Sequence, residues 1–113
     1  MAQSNSLKIK FDSVRSLAFG SIAVGYTGVG TYLAYPARMV IIQNLTDATV
    51  MFSDNGVSDS FPLPANGQTV LDLATNKTQD QGLYMDAGSR LYVRRLVGVP
   101  SSGAVYFSVI YGV

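Results

Sequence analysis

The side chains best suited to chemistry lie in the stretch FSDNGVSDSF, at residues 52–61. Asp54, Asn55 and Asp59 supply carboxylate and amide oxygens there, the ligands that Ca²⁺ prefers in proteins. The stretch lacks the alternating acidic positions of the helix–loop–helix calcium site, and the chain has no glutamate to close such a site. We favour a hairpin loop built on the Asn-Gly pair, and a weak calcium site is the alternative.

Residues for catalysis are scarce in this sequence. There is no histidine and no cysteine, so the common nucleophile–base pairs and thiolate metal sites are absent. The acidic residues are seven aspartates, most of them in turn-forming contexts, which gives little support to a glycosidase carboxylate pair. We therefore predict that the chain is not an enzyme and has no catalytic residue, no metal site and no cofactor.

Tyrosine is the other residue type that could form a site. Tyr26, Tyr32 and Tyr35 lie in a glycine-rich segment, and rings beside polar loops would suit a sugar. Tryptophan, the usual platform for sugar stacking, is absent. Tyrosine is also enriched at subunit interfaces. We predict that these three residues belong to a protein–protein interface, and a carbohydrate-binding module is the alternative from another functional class.

The chain is poor in charge for its size. Charged residues form 13% of its 113 residues, against about a quarter in ordinary soluble proteins, while apolar residues form 48%. A net charge of +1 gives no general attraction to nucleic acid. No apolar run is long enough to cross a bilayer. We expect neither a nucleic-acid nor a membrane partner, and we predict that other chains cover part of the surface.

The segments that must position these residues alternate with period two, and no long window repeats with the helical period. Turn residues separate the segments about every ten residues. This spacing predicts an all-β antiparallel β-sandwich of jelly-roll type with about eight strands, and a barrel is the alternative. The segment RMVIIQN, apolar on both faces, predicts a central strand covered on both sides. Asn44 and Asn76 begin N-glycosylation patterns, which we interpret as turn residues.

The amino-terminal residues differ from the rest. Leu7, Ile9 and Phe11 alternate with lysines after a short polar stretch. A strand of this kind can pair with its own chain or with a neighbour. We predict a single domain over residues 1–113, in which residues 1–11 form an extended arm or exchanged strand, and we assign these three apolar residues to the interface.

Three runs of the sequence resemble a known group of proteins when taken together. They are MVIIQNLTDATVMFSDNGVSDSFPLPANGQTVLDLATNK, GLYMDAGSRLYVRR and SSGAVYFSVIYGV. In this order, over residues 37–113, they resemble small virion proteins of short-tailed bacteriophages. The resemblance implies a jelly-roll cement or staple protein on the outside of the capsid, which binds across capsomer boundaries as a dimer or trimer. It carries no catalytic residues.

Composition, strand pattern and resemblance lead to one functional prediction. We expect a non-enzymatic virion structural protein, a capsid cement or decoration protein that clamps neighbouring major capsid subunits. The predicted partners are the major capsid protein and copies of this chain, and the predicted location is the outer capsid surface of the virion. A head–tail or tail structural component of a phage is the alternative within the same class.

Overall fold

The computed structural model describes residues 9–72 and 88–112, which form two antiparallel sheets packed as a sandwich. The first sheet contains β1 (Ile9–Phe11), β2 (Arg15–Ala18), β4 (Met39–Asn44), β7 (Gly67–Asp72) and β9 (Ala104–Gly112). The second contains β3 (Thr27–Gly28), β5 (Thr49–Ser53), β6 (Phe61–Leu63) and β8 (Tyr92–Val97). Within these ranges the one helical segment is a 3₁₀ turn at Phe19–Ser21, and no helix is long and apolar enough to span a membrane. The predicted all-β sandwich is confirmed.

The strands pair as a nested series. β5 pairs with β6, β4 with β7, β3 with β8, and both β1 and β2 with β9, all antiparallel. Two further antiparallel pairings, β4 with β9 and β5 with β8, join these pairs into sheets. The sheet orders are therefore β1-β9-β4-β7, with β2 also on β9, and β3-β8-β5-β6. This pairing order is that of one long hairpin, with the β5–β6 connection at its tip, whose successive strand pairs alternate between the two sheets.

The core lies between the sheets and follows the period-two alternation of the sequence. In β4 the buried apolar side chains are Val40 and Ile42, and in β9 they are Val105, Phe107 and Val109. The second sheet contributes Val50, Phe52, Leu63 and Val93 to the same cluster. Burying one such side chain stabilises the fold by roughly 1.5–3 kcal/mol. The repeated alternation therefore decides which face of each strand turns inward.

β4 is central, as predicted, because it lies between β9 and β7. The expected cover on both sides is not provided by the described part of the chain. Val40 and Ile42 on the inner side are buried, while Met39, Ile41 and Gln43 on the outer side are only half-buried.

The turn after β4 is held by a buried polar network around Asn44, which is fully buried. Its amide nitrogen lies 2.8, 3.1 and 3.0 Å from the carbonyl oxygens of Ala48, Leu63 and Pro64. Its carbonyl oxygen accepts hydrogen bonds from the backbone N–H and the hydroxyl of Thr46. Because Leu63 ends β6 in the second sheet, Asn44 ties the two sheets together.

The predicted strand RMVIIQN ends at Asn44 in the structure, and the remaining residues of the pattern interpreted as a turn, Leu45 and Thr46, lie beyond the strand. Asn44 is the last residue of β4, and the turn follows it. An amide side chain is needed here because buried carbonyl oxygens require a donor, which an apolar residue cannot supply. Asn76, the other predicted turn residue, lies outside the described residues.

Two positions with positive φ close the turns around these strands. Asn66 has φ 60°, and the N–H of Gly67 donates to the Pro64 carbonyl oxygen at 2.9 Å. This corner carries the chain from β6 in one sheet to β7 in the other. Gly103 has φ 85°, and a Cβ at that position would lie 2.0 Å from the Leu45 carbonyl oxygen. Only glycine fits there without moving the backbone.

We expect Asn44→Ala to lower the free energy of unfolding by about 3 kcal/mol, because it leaves several buried polar groups without a partner. Gln43→Ala is the matched control on the neighbouring residue, whose amide bonds only the exposed Gln68 side chain. That variant should lose less than about 1 kcal/mol. Urea unfolding of both variants measures the difference, and equal losses would show that the network does not stabilise the fold.

Gly103→Ala and Gly98→Ala separate backbone strain from steric clash. Both glycines have positive φ, 85° and 72°, but a Cβ at Gly98 meets nothing within 4 Å. Gly98→Ala should cost about 1 kcal/mol from the left-handed backbone alone. Gly103→Ala should cost about 1–3 kcal/mol more because its methyl group overlaps the backbone of Leu45. Unfolding curves for both variants test this order, and the reverse order would contradict the described loop geometry.

Candidate functional site

The stretch at residues 52–61 forms the loop of a hairpin, as predicted. Phe52 and Phe61 face each other across β5 and β6, and their rings stack with centroids 5.3 Å apart. The side-chain oxygen of Asn55 accepts hydrogen bonds from the backbone N–H groups of Val57 and Ser58. Positive φ occurs at Gly56 alone within this loop. The Asn-Gly pair therefore shapes a longer loop than a two-residue turn.

Two of the three candidate calcium ligands in this loop, Asn55 and Asp59, have side-chain oxygens that accept hydrogen bonds from the protein itself. The carboxylate of Asp59 accepts a hydrogen bond from the hydroxyl of Tyr26 and two from Arg94, with Nε at 3.2 Å and Nη2 at 2.9 Å. The described ranges contain no group of three or more acidic, histidine or cysteine side chains able to hold a metal ion. The alternative of a weak calcium site thus finds no cluster of carboxylates in this part of the chain.

Tyr26, Asp59 and Arg94, here called the Asp59 clasp, fasten the loop to the outer face of the second sheet. The Arg94 guanidinium lies 5.7 Å from the centroid of the Tyr26 ring. Hydrogen bonds from Arg94 and then from Tyr26 lower the pKa of Asp59. Burial, followed by the hydrogen bond to Asp59, raises the pKa of Tyr26. The two shifts keep Asp59 ionised and Tyr26 protonated near neutral pH, so the clasp holds structure and is not poised for proton transfer.

The three tyrosines predicted for an interface occupy separate places. Tyr26 is half-buried in the Asp59 clasp, and Tyr32 is 57% exposed beside Arg90. Tyr35 is 47% exposed and stacks on Tyr111 of β9, with ring centroids 4.2 Å apart. In the described residues these rings do not stack on one another, so they form no common platform for a sugar. Their part in an interface stays a prediction.

The predicted arm is described only in part. Leu7 lies outside the described residues. Ile9 and Phe11 belong to β1 and pair with Gly112 and Ile110 of β9 in the same chain. Phe11 is 69% exposed, although it is a large aromatic side chain. Exchange of this strand with a neighbouring chain stays a prediction.

The outer face of the first sheet, here called the uncharged face, is a surface that the sequence reasoning did not locate. Strand register places ten outward residues in rows across five strands. They are Phe11, Ser16, Met39, Ile41, Gln43, Gln68, Val70, Tyr106, Ser108 and Ile110. None of these ten carries a charge, although the register also places one aspartate, Asp72, opposite Met39 on this side of the sheet, where β7 ends. The outer face of an antiparallel sheet is ordinarily polar and solvated. The low proportion of charged residues in the chain is therefore seen most directly in this group of outward residues.

The outer face of the second sheet is different and is called the arginine face. Tyr92 and Arg94 lie in β8, and Arg90 lies just before it. The rings of Tyr32 and Tyr26 flank the two arginines. The signal for this surface was present in the sequence as alternate positions in RLYVRR. The guanidinium groups of Arg90 and Arg94 pack over tyrosine rings on this face.

No protein-family model matches this sequence, and no curated protein matches it. The resemblance to phage virion proteins therefore depends on the quoted runs alone. The two outer faces are the surfaces on which a partner would bind.

We expect part of the acid sensitivity of folding to come from Asp59. Its folded pKa is below the unfolded value of about 3.9, so the clasp contributes fully above that pH and its contribution is lost as pH falls through the folded value. Asp59→Asn should flatten the dependence of unfolding free energy on pH between about pH 5 and pH 2. Asp54→Asn, in the same loop but outside the clasp, is the control. Urea unfolding across this pH range measures both, and equal flattening would contradict the assignment to Asp59.

Proposed function

We propose that this chain is a non-enzymatic structural protein of a virus particle, a capsid cement protein that clamps neighbouring shell subunits from the outside. The observation that carries the proposal is the uncharged face. Its exposed large apolar members, Phe11 and Val70, are 69% and 53% exposed, and half-buried apolar residues of β4 and β9 lie between them. A contiguous apolar surface on a small domain marks a site of protein contact.

The size of this face indicates how such a protein would bind. Four strands spaced about 4.8 Å apart, each with about six residues at 3.4 Å, cover roughly 400 Å². A stable interface needs about 800 Å² from each partner. One copy held by this face alone would bind weakly. A lattice that offers many equivalent sites, or a copy that touches two subunits at once, strengthens such binding without new chemistry.

The strand arrangement supports the finer fold prediction within this proposal. Pairs nested as β5–β6, β4–β7, β3–β8 and β2–β9 place eight strands in two four-stranded layers. A double-sheet jelly roll also has eight strands in two layers. We propose the jelly-roll topology on this ground, with β1 as an addition at the edge of β9.

The proposed partners are the major capsid protein and copies of this chain, as a dimer or trimer on the outer capsid surface. A head–tail or tail component would use the same uncharged face, and its place on the particle would distinguish it. The sugar-binding alternative receives no support from Tyr26, Tyr32 and Tyr35, because their rings do not stack on one another in the described residues and so form no common platform.

Charge introduced into the uncharged face should prevent attachment. Val70→Asp and Val70→Lys should each reduce binding to virus shells assembled without the protein by about tenfold, or 1.4 kcal/mol, because either charge would be desolvated against an apolar partner. Val99→Asp is the matched control, since Val99 is 66% exposed in the loop before β9 and outside this face. It should change binding less than about twofold.

Co-sedimentation with such shells measures occupancy, and circular dichroism checks that each variant folds. Electron microscopy of the gold-labelled protein shows whether it lies on the shell or on the tail. Failure of the wild-type protein to bind shells would overturn the proposed function. Equal loss in Val70→Asp and Val99→Asp would overturn the assignment of the uncharged face.

A further inference from the structure

Arg90 is held in one place on the arginine face by several independent contacts. Its Nε donates to the carbonyl oxygen of Gly30 at 2.7 Å. Its guanidinium carbon lies 5.1 Å from the ring centroid of Tyr32 and 5.8 Å from that of Tyr92. The group also lies directly over Gly28, where a Cβ would come within 2.2 Å of the guanidinium carbon.

The backbone at Arg90 is fixed as well. The N–H of Leu33 donates to the carbonyl oxygen of Ser89 at 2.8 Å, and the N–H of Val29 donates to that of Leu91 at 2.7 Å. Residues on both sides of Arg90 are therefore hydrogen-bonded to the segment that carries Gly28 and Gly30. Residues 28–33 therefore position both the backbone beside Arg90 and its guanidinium group.

Two other arginines show what this chain does with a fixed guanidinium group. Arg15 is 6% exposed, and all three of its nitrogens donate, to Asp12 and to carbonyl oxygens. Arg94 donates from Nε and Nη2 to Asp59 and from Nη1 to the Arg95 carbonyl oxygen. At Arg90, Nη1 and Nη2 have no acceptor and no carboxylate partner within the described ranges.

We infer that Arg90 is a receptor for a carboxylate side chain, aspartate or glutamate, of a protein partner that docks on the arginine face. The two terminal nitrogens of a guanidinium form a planar fork that matches a carboxylate in a bidentate pair. Because the fork is already oriented, little side-chain entropy is lost on binding. The identification of the partner as a shell subunit rests on the proposed function, while the carboxylate chemistry does not.

The charge around Arg90 favours a single carboxylate over a polyanion. A nucleic acid is bound by many phosphate contacts along a basic track, whereas this chain has a net charge of +1. The next arginine along the face, Arg94, is already neutralised by Asp59. One positive group between two aromatic rings fits one acidic side chain of an interface, in which aromatic and arginine residues are enriched.

The chain offers a variant that moves the guanidinium without removing it. Gly28→Ala places a methyl group where the Arg90 head lies, and the backbone of Gly28 is not in the positive-φ region. The flexible side chain can swing away, so the protein should fold with its charge retained and its fork displaced. This variant separates pre-positioning of the fork from simple attraction by charge.

The first experiment titrates the full-length protein with a hexaglutamate peptide at low salt and follows the arginine Nε–H resonances by NMR, with hexaglutamine as the blank. The Arg90 resonance should shift, and Arg90→Gln should weaken binding about tenfold. The affinities of Arg90→Lys and Gly28→Ala for the peptide should lie between those of the wild type and of Arg90→Gln. Arg95→Gln removes the same charge from a different position, within β8, and should change binding less than about twofold. Equal losses in Arg90→Gln and Arg95→Gln, or tighter binding of a single-stranded oligonucleotide at Arg90, would overturn the inference.

The second experiment repeats the shell co-sedimentation with Arg90→Gln and Gly28→Ala. Both variants should lose occupancy if a shell carboxylate meets Arg90. Wild-type binding that is unchanged in both variants would overturn the inference and leave the proposed function standing. Absence of wild-type binding to shells, together with a shifted Arg90 resonance in the peptide titration, would overturn the proposed function alone.

Discussion

The antiparallel register between β4 and β9 is the constraint on which the rest of the molecule depends. Val40 lies opposite Val109 and Ile42 opposite Phe107, so every second pair fills the core. The intervening pairs, such as Ile41 opposite Ser108, then form the outer face. A slip of one residue would exchange the two faces completely. Core and uncharged face are therefore two consequences of a single register.

The sequence was sufficient for the elements whose signal is local. Alternation predicted the strands, and Asn55-Gly56 predicted the β5–β6 hairpin loop, because both depend on residues close in the chain. The nested pairing was not predictable in detail, since it depends on contacts between distant segments, such as Thr27 opposite Val93. The buried network around Asn44 was not predictable for the same reason: the carbonyl oxygens that need its amide belong to Leu63 and Pro64, far along the chain.

The sequence predicted that a surface of low charge exists, but it did not predict which residues form it. Low charge indicated that part of the molecule should be covered, but composition cannot say which residues share a face. Only register brings Phe11, Ile41 and Val70 onto one side of a sheet. The fixed position of Arg90 was also hidden, because the residues that fix it, Gly28 and Tyr32, are far away in the chain and become its neighbours when β3 pairs with β8.

The two outer faces are suited to different parts of recognition. An apolar face such as the uncharged face supplies affinity through burial, but it tolerates many orientations of a partner. A fixed guanidinium contributes less to affinity. It restricts the orientation of the bound partner more strongly, since a bidentate pair forms in only one geometry. The role proposed for this chain, a small clamp on a repeating shell, would use both, because each copy would bind weakly and in one orientation over a boundary between subunits. A chain with a net charge of +1 has little electrostatic repulsion to keep its copies apart. The ten residues of the uncharged face carry no charge that could orient a partner. On the arginine face, Arg90 is the group that we propose orients it.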